Sequence, residues 1–448
     1  MHKNYSIKGG KAIGSGGYGC VFHPALSCSS EKKNPDNPEN YVSKLMTNSH
    51  AKDEYKIIST INKKLQTIKN HEDYFLTSDV RKCKIKRLSK SDKKHFTKKC
   101  KPLTKKNITY KNINKHLSKV TSITMPHGGL DVNDYIYSSI NNYQKMNRLF
   151  QSLSTLTKNG IVPMNQYKIY HGDIKASNLM IKNNAVKVID WGLAFSQPKI
   201  NVYHKMSSNR PFQFNIPFSC VLINHEFQKE YREYIFKNPS PSRSMIQTFV
   251  SEFIDRWNNY RGTGSLDLLH YTYGGLLERN ADKTLLKHEV HPAIIKYLVN
   301  IVEKYTSNDE FHFQKYYNEI YLHNLDLWGM VTSTISVFDL LVANTKILNS
   351  IEKNVLDIIN DLFYHILECD ANKISIQKMI DSFQDIAELY NVTQPKPLRI
   401  TDTPRSTSHI KSSRKKLSTR KVSSKNLRQS LTNNKSITSN HKTRKKYF

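Results

Sequence analysis

The sequence predicts an α+β chain with two lobes, a small β-rich N-terminal one and a larger helical C-terminal one, followed by a disordered basic tail. Three observations predict it. Short apolar runs separated by turn residues fill the first part of the chain. Long runs with helical apolar spacing dominate from about Ser219 to Tyr390. After Gln394 the chain becomes rich in Ser, Thr, Lys and Arg and nearly free of aromatics, a composition that cannot bury a core. The boundaries read as 1–125, 126–392 and 393–448.

Taken in order, the first forty residues read as two short strands around a Gly-rich turn, a polar loop from Ser27 to Asn40, and a third strand, YVSKLM. A helix follows, with Ser49 as its expected N-cap and Glu54, Ile57, Ile58, Ile61 and Leu65 on one face. The segment from Arg81 to Lys119 has little apolar periodicity and reads as a solvated, Lys-rich insertion. TSITMPHGGL reads as a strand that leaves through a Pro/Gly connection. Leu149, Leu153 and Leu156 mark an amphipathic helix over Tyr143–Leu156. NLMIK and VKVID, separated by Asn183-Asn184, read as a hairpin. Further on, IIKYLVNIVEKY, LWGMVTSTISVFDLL and NVLDIINDLFYHIL are the clearest helices.

The chain has 448 residues, enough for a sizeable core, and a formal net charge of +32. Segments 81–119 and 396–446 each carry about sixteen Lys/Arg against a single acid, Asp92 and Asp402 respectively, so they account for nearly all of that charge. Six irregularly spaced cysteines do not read as a disulfide framework in a chain of this size, and a reducing compartment is expected. Cys83, His95 and Cys100 lack a second Cys pair, which disfavours a zinc site. The N-terminus lacks a signal-like apolar region, and no apolar run approaches the roughly 18 residues of a membrane span. The expected location is intracellular, in cytoplasm or nucleus or packaged in a particle, with no membrane partner.

Gly14, Ser15, Gly16, Gly17, Tyr18, Gly19 and Val21 form a Gly-rich turn between strands. Glycines let backbone N–H groups approach phosphates. Alone this motif reads as an ordinary turn, and it lacks the Gly-Lys-Ser/Thr ending of a Walker loop. Lys44 on an inner strand face and Glu54 on an inner helix face each need a partner, and each suits the other. The strongest signal is His171-Gly-Asp173-Ile-Lys175-Ala-Ser-Asn178 followed by a hairpin ending in Asp190-Trp-Gly192. Phosphoryl transfer needs that set: a carboxylate to accept the hydroxyl proton, a Lys to balance γ-phosphate charge, and oxygen ligands for Mg²⁺.

HGDIKASN and IDWG resemble the catalytic loop and metal-binding motif of protein kinases, over about residues 10 to 390. The resemblance implies a protein-kinase-like fold and ATP with Mg²⁺. Gly14, Gly16 and Gly19 would cover the ATP phosphates, Lys44 and Glu54 would form an ion pair, and Met125 in TMPHGGLDV would lie at the adenine-receiving hinge. Asp173 would be the base, Lys175 the γ-phosphate contact, and Asn178 and Asp190 the Mg²⁺ ligands. Asp326 would brace the catalytic loop. Lys175 favours Ser/Thr hydroxyls of protein substrates. The Lys/Asn/Ile-rich composition, His-Gly-Asp and RPFQFNIPFS resemble kinases of large nucleocytoplasmic DNA viruses, mimivirus-like ones especially.

Several features depart from that pattern. Gly172 replaces the Arg that usually holds an activation-loop phosphate, so activity should not depend on that switch. Trp191 replaces Phe, no Ala-Pro-Glu is present although Pro217-Phe-Ser219 lies where it would fall, and Pro126 removes a hinge donor. A helical insertion at about 220–320 would rebuild the substrate-docking side. The basic insertion and tail are candidate sites for nucleic acid or other polyanions, with a solvating role as the simpler reading. RKKLS and RKVSS in the tail resemble sites for a kinase that prefers upstream basic residues, so autophosphorylation would weaken polyanion binding there. Two competing functions are an inactive kinase-fold binding protein and a small-molecule kinase on the same fold.

Overall fold

The computed structural model describes residues 10–197, 204–262, 264–277 and 286–392. The fold is α+β, with antiparallel sheets concentrated towards the N-terminus and helices dominating the rest. Strands β1 (Lys11–Ser15), β2 (Gly19–His23), β3 (Tyr41–Thr47), β4 (Arg81–Cys83) and β5 (Val120–Pro126) form one sheet in the order β1-β2-β3-β5-β4. Helix α1 (Asn48–Leu65) follows β3 directly and buries Ala51, Glu54, Ile58, Ile61 and Leu65, the face expected from its spacing apart from half-buried Ile57. It begins earlier than expected, with Thr47 rather than Ser49 in the N-cap position.

Because side chains alternate across a strand, the sheet has two distinct faces. Val21, Lys44 and Ile123 are direct cross-strand neighbours and share the face towards α1. Cys20, Phe22 and Leu45 point the other way, where they pack against Ile85, Leu88, Phe96, Cys100, Leu103, Ile108 and Ile113. The segment 81–119 is therefore not a solvated insertion. It supplies edge strand β4, and its sparse apolar residues cover the second face of the sheet while its lysines stay outside. No regular period marks those residues, because this segment is built from single-turn helices and turns.

Two disulfides correct the expectation of reduced cysteines. Cys20 on β2 is bonded to Cys100, and Cys28 to Cys83 on β4. Both join the segment 81–119 to the first forty residues across sequence separations of 80 and 55, too far apart to leave a local spacing signature. Cys83 and Cys100 thus belong to different bridges, and the zinc reading falls. Cys220 and Cys369 are free and buried.

Beyond β5, Leu130–Asp131 (β6) pairs with the hairpin of β7 (Leu179–Lys182) and β8 (Ala185–Val188). Asn183 and Asn184 both have positive φ, as a two-residue turn of this kind requires. Helix Tyr143–Leu156 has the expected bounds and packs on helix Ile376–Leu389 through Phe150 and Phe383. Residues 225–237, 243–261, 264–277 and 286–304 are helical, in line with a helical segment after about 220. LWGMVTSTISVFDLL divides into helices Leu322–Thr332 and Ile335–Ala343. At the break, the Ser333 and Thr334 hydroxyls donate to the carbonyls of Met330 and Val331 and compete with the helix ladder.

The helical stretch Phe313–Ala343 is long and apolar enough to cross a membrane, which corrects the expectation of no such run. Its most apolar window is 89% buried within the fold, so its apolarity is spent on core packing. The expected tail, 393–448, lies outside the described residues.

Candidate active site

The residues singled out in the sequence converge where β3, α1, the loop 171–178 and the end of β8 meet. Lys44 Nζ donates to Glu54 Oε1 and to Asp190 Oδ1, each at 2.8 Å. Lys44 and Glu54 are buried, whereas Asp190 keeps 38% of its side chain exposed. Burial works against the Lys44 charge, but the carboxylates of Asp190 and Glu54 overcome it and raise its pKa. Burial lifts the Glu54 pKa, helped by Asp190 and opposed by Lys44. Asp190 is held below the usual carboxylate range because Lys44, with His171 and Lys175, outweighs its desolvation. One cation therefore serves two carboxylates. Asp190 itself sits in the left-handed region at φ 61°, an uncommon conformation for a non-glycine residue and one that concentrates at functional sites.

The loop 171–178 is fixed from beneath. Both oxygens of buried Asp326 accept backbone N–H groups, from His171 at 2.9 Å and Gly172 at 2.8 Å. Burial raises the Asp326 pKa, while those backbone N–H groups and the Arg210 charge oppose the rise. Gly329, one helical turn further along, lies so close to the loop that a Cβ there would come within 2.6 Å of the Ile174 carbonyl oxygen. The His171 ring bonds Ile189 O through Nε2 at 2.9 Å and accepts from Asp173 N at Nδ1, which assigns its proton to Nε2. Trp191 is buried, with its ring edge-on to His171 and Phe75.

Asp173 is the single carboxylate of the loop. Its Oδ2 accepts from Lys175 Nζ at 2.8 Å and from Asn178 Nδ2 at 3.1 Å. Asn178 Nδ2 also donates to the Asp173 carbonyl at 2.8 Å, so its amide oxygen is the group left for another partner. Asn178 O accepts from Ile189 N, which brings Asn178 beside the strand end that carries Asp190.

The Gly-rich turn lies over Lys44. Gly16 N donates to Gly19 O at 3.0 Å to close it, and a Cβ on Gly16 would sit 3.7 Å from the Lys44 side chain. Gly19 cannot carry a side chain, since a Cβ would come within 2.4 Å of Leu45 O. Ser15, Gly17 and Tyr18 are exposed at the tip, with the Tyr18 ring stacked on His50 at 4.5 Å. Val21 faces Lys44 across the strands, and half-buried Met125 lies two residues beyond Ile123 on the same face. Met125 is thus beside the site, and the following connection is tied down by His127 N donating to Asn40 O.

Two further residues belong to the site and were not singled out. Asn215 Nδ2 donates to Asp173 Oδ1 at 2.9 Å and to Ile174 O at 3.0 Å. Buried Arg210 donates to the Gly172 carbonyl and to Gln213. Both lie in RPFQFNIPFS, whose similarity was visible only as a run. Among the described residues no carboxylate forms an ion pair with Arg210. Its charge instead helps oppose the effect of burial on Asp326.

A depression of about 240 Å³ between helices 243–261 and 286–304, lined in part by Arg243, His291 and Lys296, shares no residue with this cluster. No protein-family model matches the chain, and no curated protein matches it.

Proposed function

We propose that the chain is an ATP-dependent protein serine/threonine kinase of two-lobed, protein-kinase-like fold. One observation carries the reading: two hydrogen-bonded groups, Lys44 with Glu54 and Asp190, and Asp173 with Lys175 and Asn178, are brought side by side by the backbone bond from Ile189 N to Asn178 O, with a Gly-rich turn over Lys44. A fold with no use for that cluster would gain little by holding one lysine against two carboxylates, since buried ion pairs rarely stabilise on balance. In this reading the small lobe runs to residue 125 with the basic segment 81–119 within it, and the large lobe runs from 126 to 392.

Each residue then has a defined task. Lys44, held by Glu54, presents its ammonium to the nucleotide's phosphates, and the N–H groups of the Gly14–Gly19 turn add donors above them. Met125 lines the adenine side. Asp173 accepts the proton of the acceptor hydroxyl, and Lys175 balances charge on the transferred phosphoryl group. Asn178 and Asp190 offer an amide oxygen and a carboxylate with exposed surface, a hard oxygen set suited to Mg²⁺ completed by phosphate and water. When bound, that ion would neutralise phosphate charge. The protein's own contribution is positioning and electrostatics, with Asp326, Asn215 and Arg210 holding the loop that carries Asp173.

The similarity to kinases of large DNA viruses and the intracellular or particle-packaged location remain part of this proposal. The two disulfides favour a phase in an oxidising environment. The test is transfer of labelled γ-phosphate from ATP/Mg²⁺ to a basic protein mixture and to the chain itself. Wild type should label Ser and Thr, and Asp190→Asn and Lys44→Met should each lower the rate by about 100-fold or more. Chelation of Mg²⁺ should abolish labelling. A folded wild type inactive with several metals and acceptors would overturn the reading in favour of a binding protein on this fold.

A further inference from the structure

We propose that the segment 81–119 is a folded, disulfide-stapled platform that binds the phosphate backbone of nucleic acid. This stands independently of the catalytic reading. Its basic residues do not belong to a loose loop. Cys100 is bonded to Cys20 and Cys83 to Cys28, and buried Phe96, Leu103, Ile108 and Ile113 seat the segment on the sheet face opposite Lys44. With the apolar side chains and cysteines turned inwards, the cations are left outside: Lys98, Lys101, Lys105, Lys106 and Lys111 are all exposed.

That surface has almost no internal compensation. The segment's single acid, Asp92, is buried and accepts from the Ser89 backbone N–H at 2.7 Å. Arg81 pairs with Asp79, and Lys86 lies 3.5 Å from Glu31. Among the described residues, no other cation of the segment forms an ion pair. A fixed array of unpaired lysines raises a local potential and gains free energy by releasing counterions from a polyanion.

The chemistry favours nucleic acid over the other polyanions. Protein interfaces are poor in Lys and are built around buried apolar anchors, yet Tyr110 is the only large apolar side chain exposed in this segment. Membrane-surface helices need an exposed apolar face, but the helices here, Phe96–Lys99 and Lys101–Thr104, are one turn long and bury Phe96 and Leu103. A lysine surface whose single large exposed ring, Tyr110, already lies under Lys93 suits contacts to phosphates rather than bases, so binding should be insensitive to sequence.

The test uses the full chain, with its basic tail intact, and a full-length variant carrying Lys98→Gln, Lys101→Gln, Lys105→Gln and Lys106→Gln. All four positions are exposed, so the variant should unfold at the wild-type temperature. Binding to a labelled 20-base-pair duplex of arbitrary sequence is followed by anisotropy from 50 to 300 mM salt. The expected result is about a 10- to 100-fold loss of affinity and a shallower salt dependence, by about 2–4 in the log–log slope, because each lost phosphate contact removes about 0.9. A second duplex of different sequence should bind equally well. Unchanged affinity and slope would overturn the proposal and assign any binding to the tail. Equal or tighter binding to polyglutamate or to vesicles of anionic lipid, lost in the same variant, would overturn it in favour of an acidic protein or a membrane surface.

Discussion

Lys44 shows how a single residue takes its meaning from its surroundings. On a strand it would be an ordinary edge lysine, but between Glu54 and Asp190 it becomes a buried cation that both carboxylates keep charged. Asp339 illustrates the opposite case. Its carboxyl, on helix Ile335–Ala343, is pushed up to about 7 by burial alone. An acid whose folded pKa lies above its unfolded value binds more protons in the folded state, so stability falls as pH rises between the two. The loss should begin near pH 4, where the unfolded side chain ionises, and be complete just above pH 7. Asp339→Asn should therefore stabilise the protein at pH 8 by about 1–3 kcal/mol, a figure reduced for partial exposure, and have little effect at pH 4. Thermal unfolding of both proteins across that range measures it, and a pH-independent difference would disprove it.

At the scale of elements, the loop 171–178 is held between a helix below and a returning segment above. Asp326 and Gly329 act from below, one accepting two N–H groups and the other allowing backbone approach. Arg210 and Asn215 act from above, tying the segment after residue 204 to Gly172, Asp173 and Ile174. The absence of Arg at position 172 pointed to freedom from a phosphate switch, and Arg210 reaches the Gly172 carbonyl from the segment after residue 204. If the kinase reading holds, wild type treated with phosphatase should keep its full rate. Arg210→Ala should lower kcat about 10-fold or more with the KM for ATP nearly unchanged, and Arg210→Lys should recover part of it. A variant that loses ATP affinity instead would show that Arg210 acts on the nucleotide or on folding at large.

At the scale of the molecule, two bridges tie segment 81–119 to the start of the chain. Each closes a long loop, so each should limit the unfolded state substantially. Replacing Cys100 by Ser, or Cys83 by Ser, should cost about 2–4 kcal/mol, read from denaturant midpoints with and without reductant. Reductant should remove most of the difference between wild type and the double variant. Equal midpoints for wild type under both conditions would show that the bridges carry no stability. The same bridges hold the basic surface on the back of the sheet, away from the face that carries Lys44.

Much of this was legible in residue order alone. Local periodicity determined the strands around the Gly-rich turn, α1, the helix Tyr143–Leu156 and the Asn-Asn hairpin, because each depends on neighbours within a few positions. The spacing of His-Gly-Asp-x-Lys-x-x-Asn and Asp-Trp-Gly marked the candidate site, and complementary charge marked the Lys44–Glu54 pair. Tertiary structure alone decided the rest. Arg210 and Asn215 gain a task only when a loop about forty residues away is folded beside them. The bridges join cysteines 55 and 80 residues apart, and the apolar residues of segment 81–119 follow the contour of a sheet face rather than any helical or strand period. Contacts made at long range leave no spacing in the sequence, so charge density masked a buried core that only packing reveals.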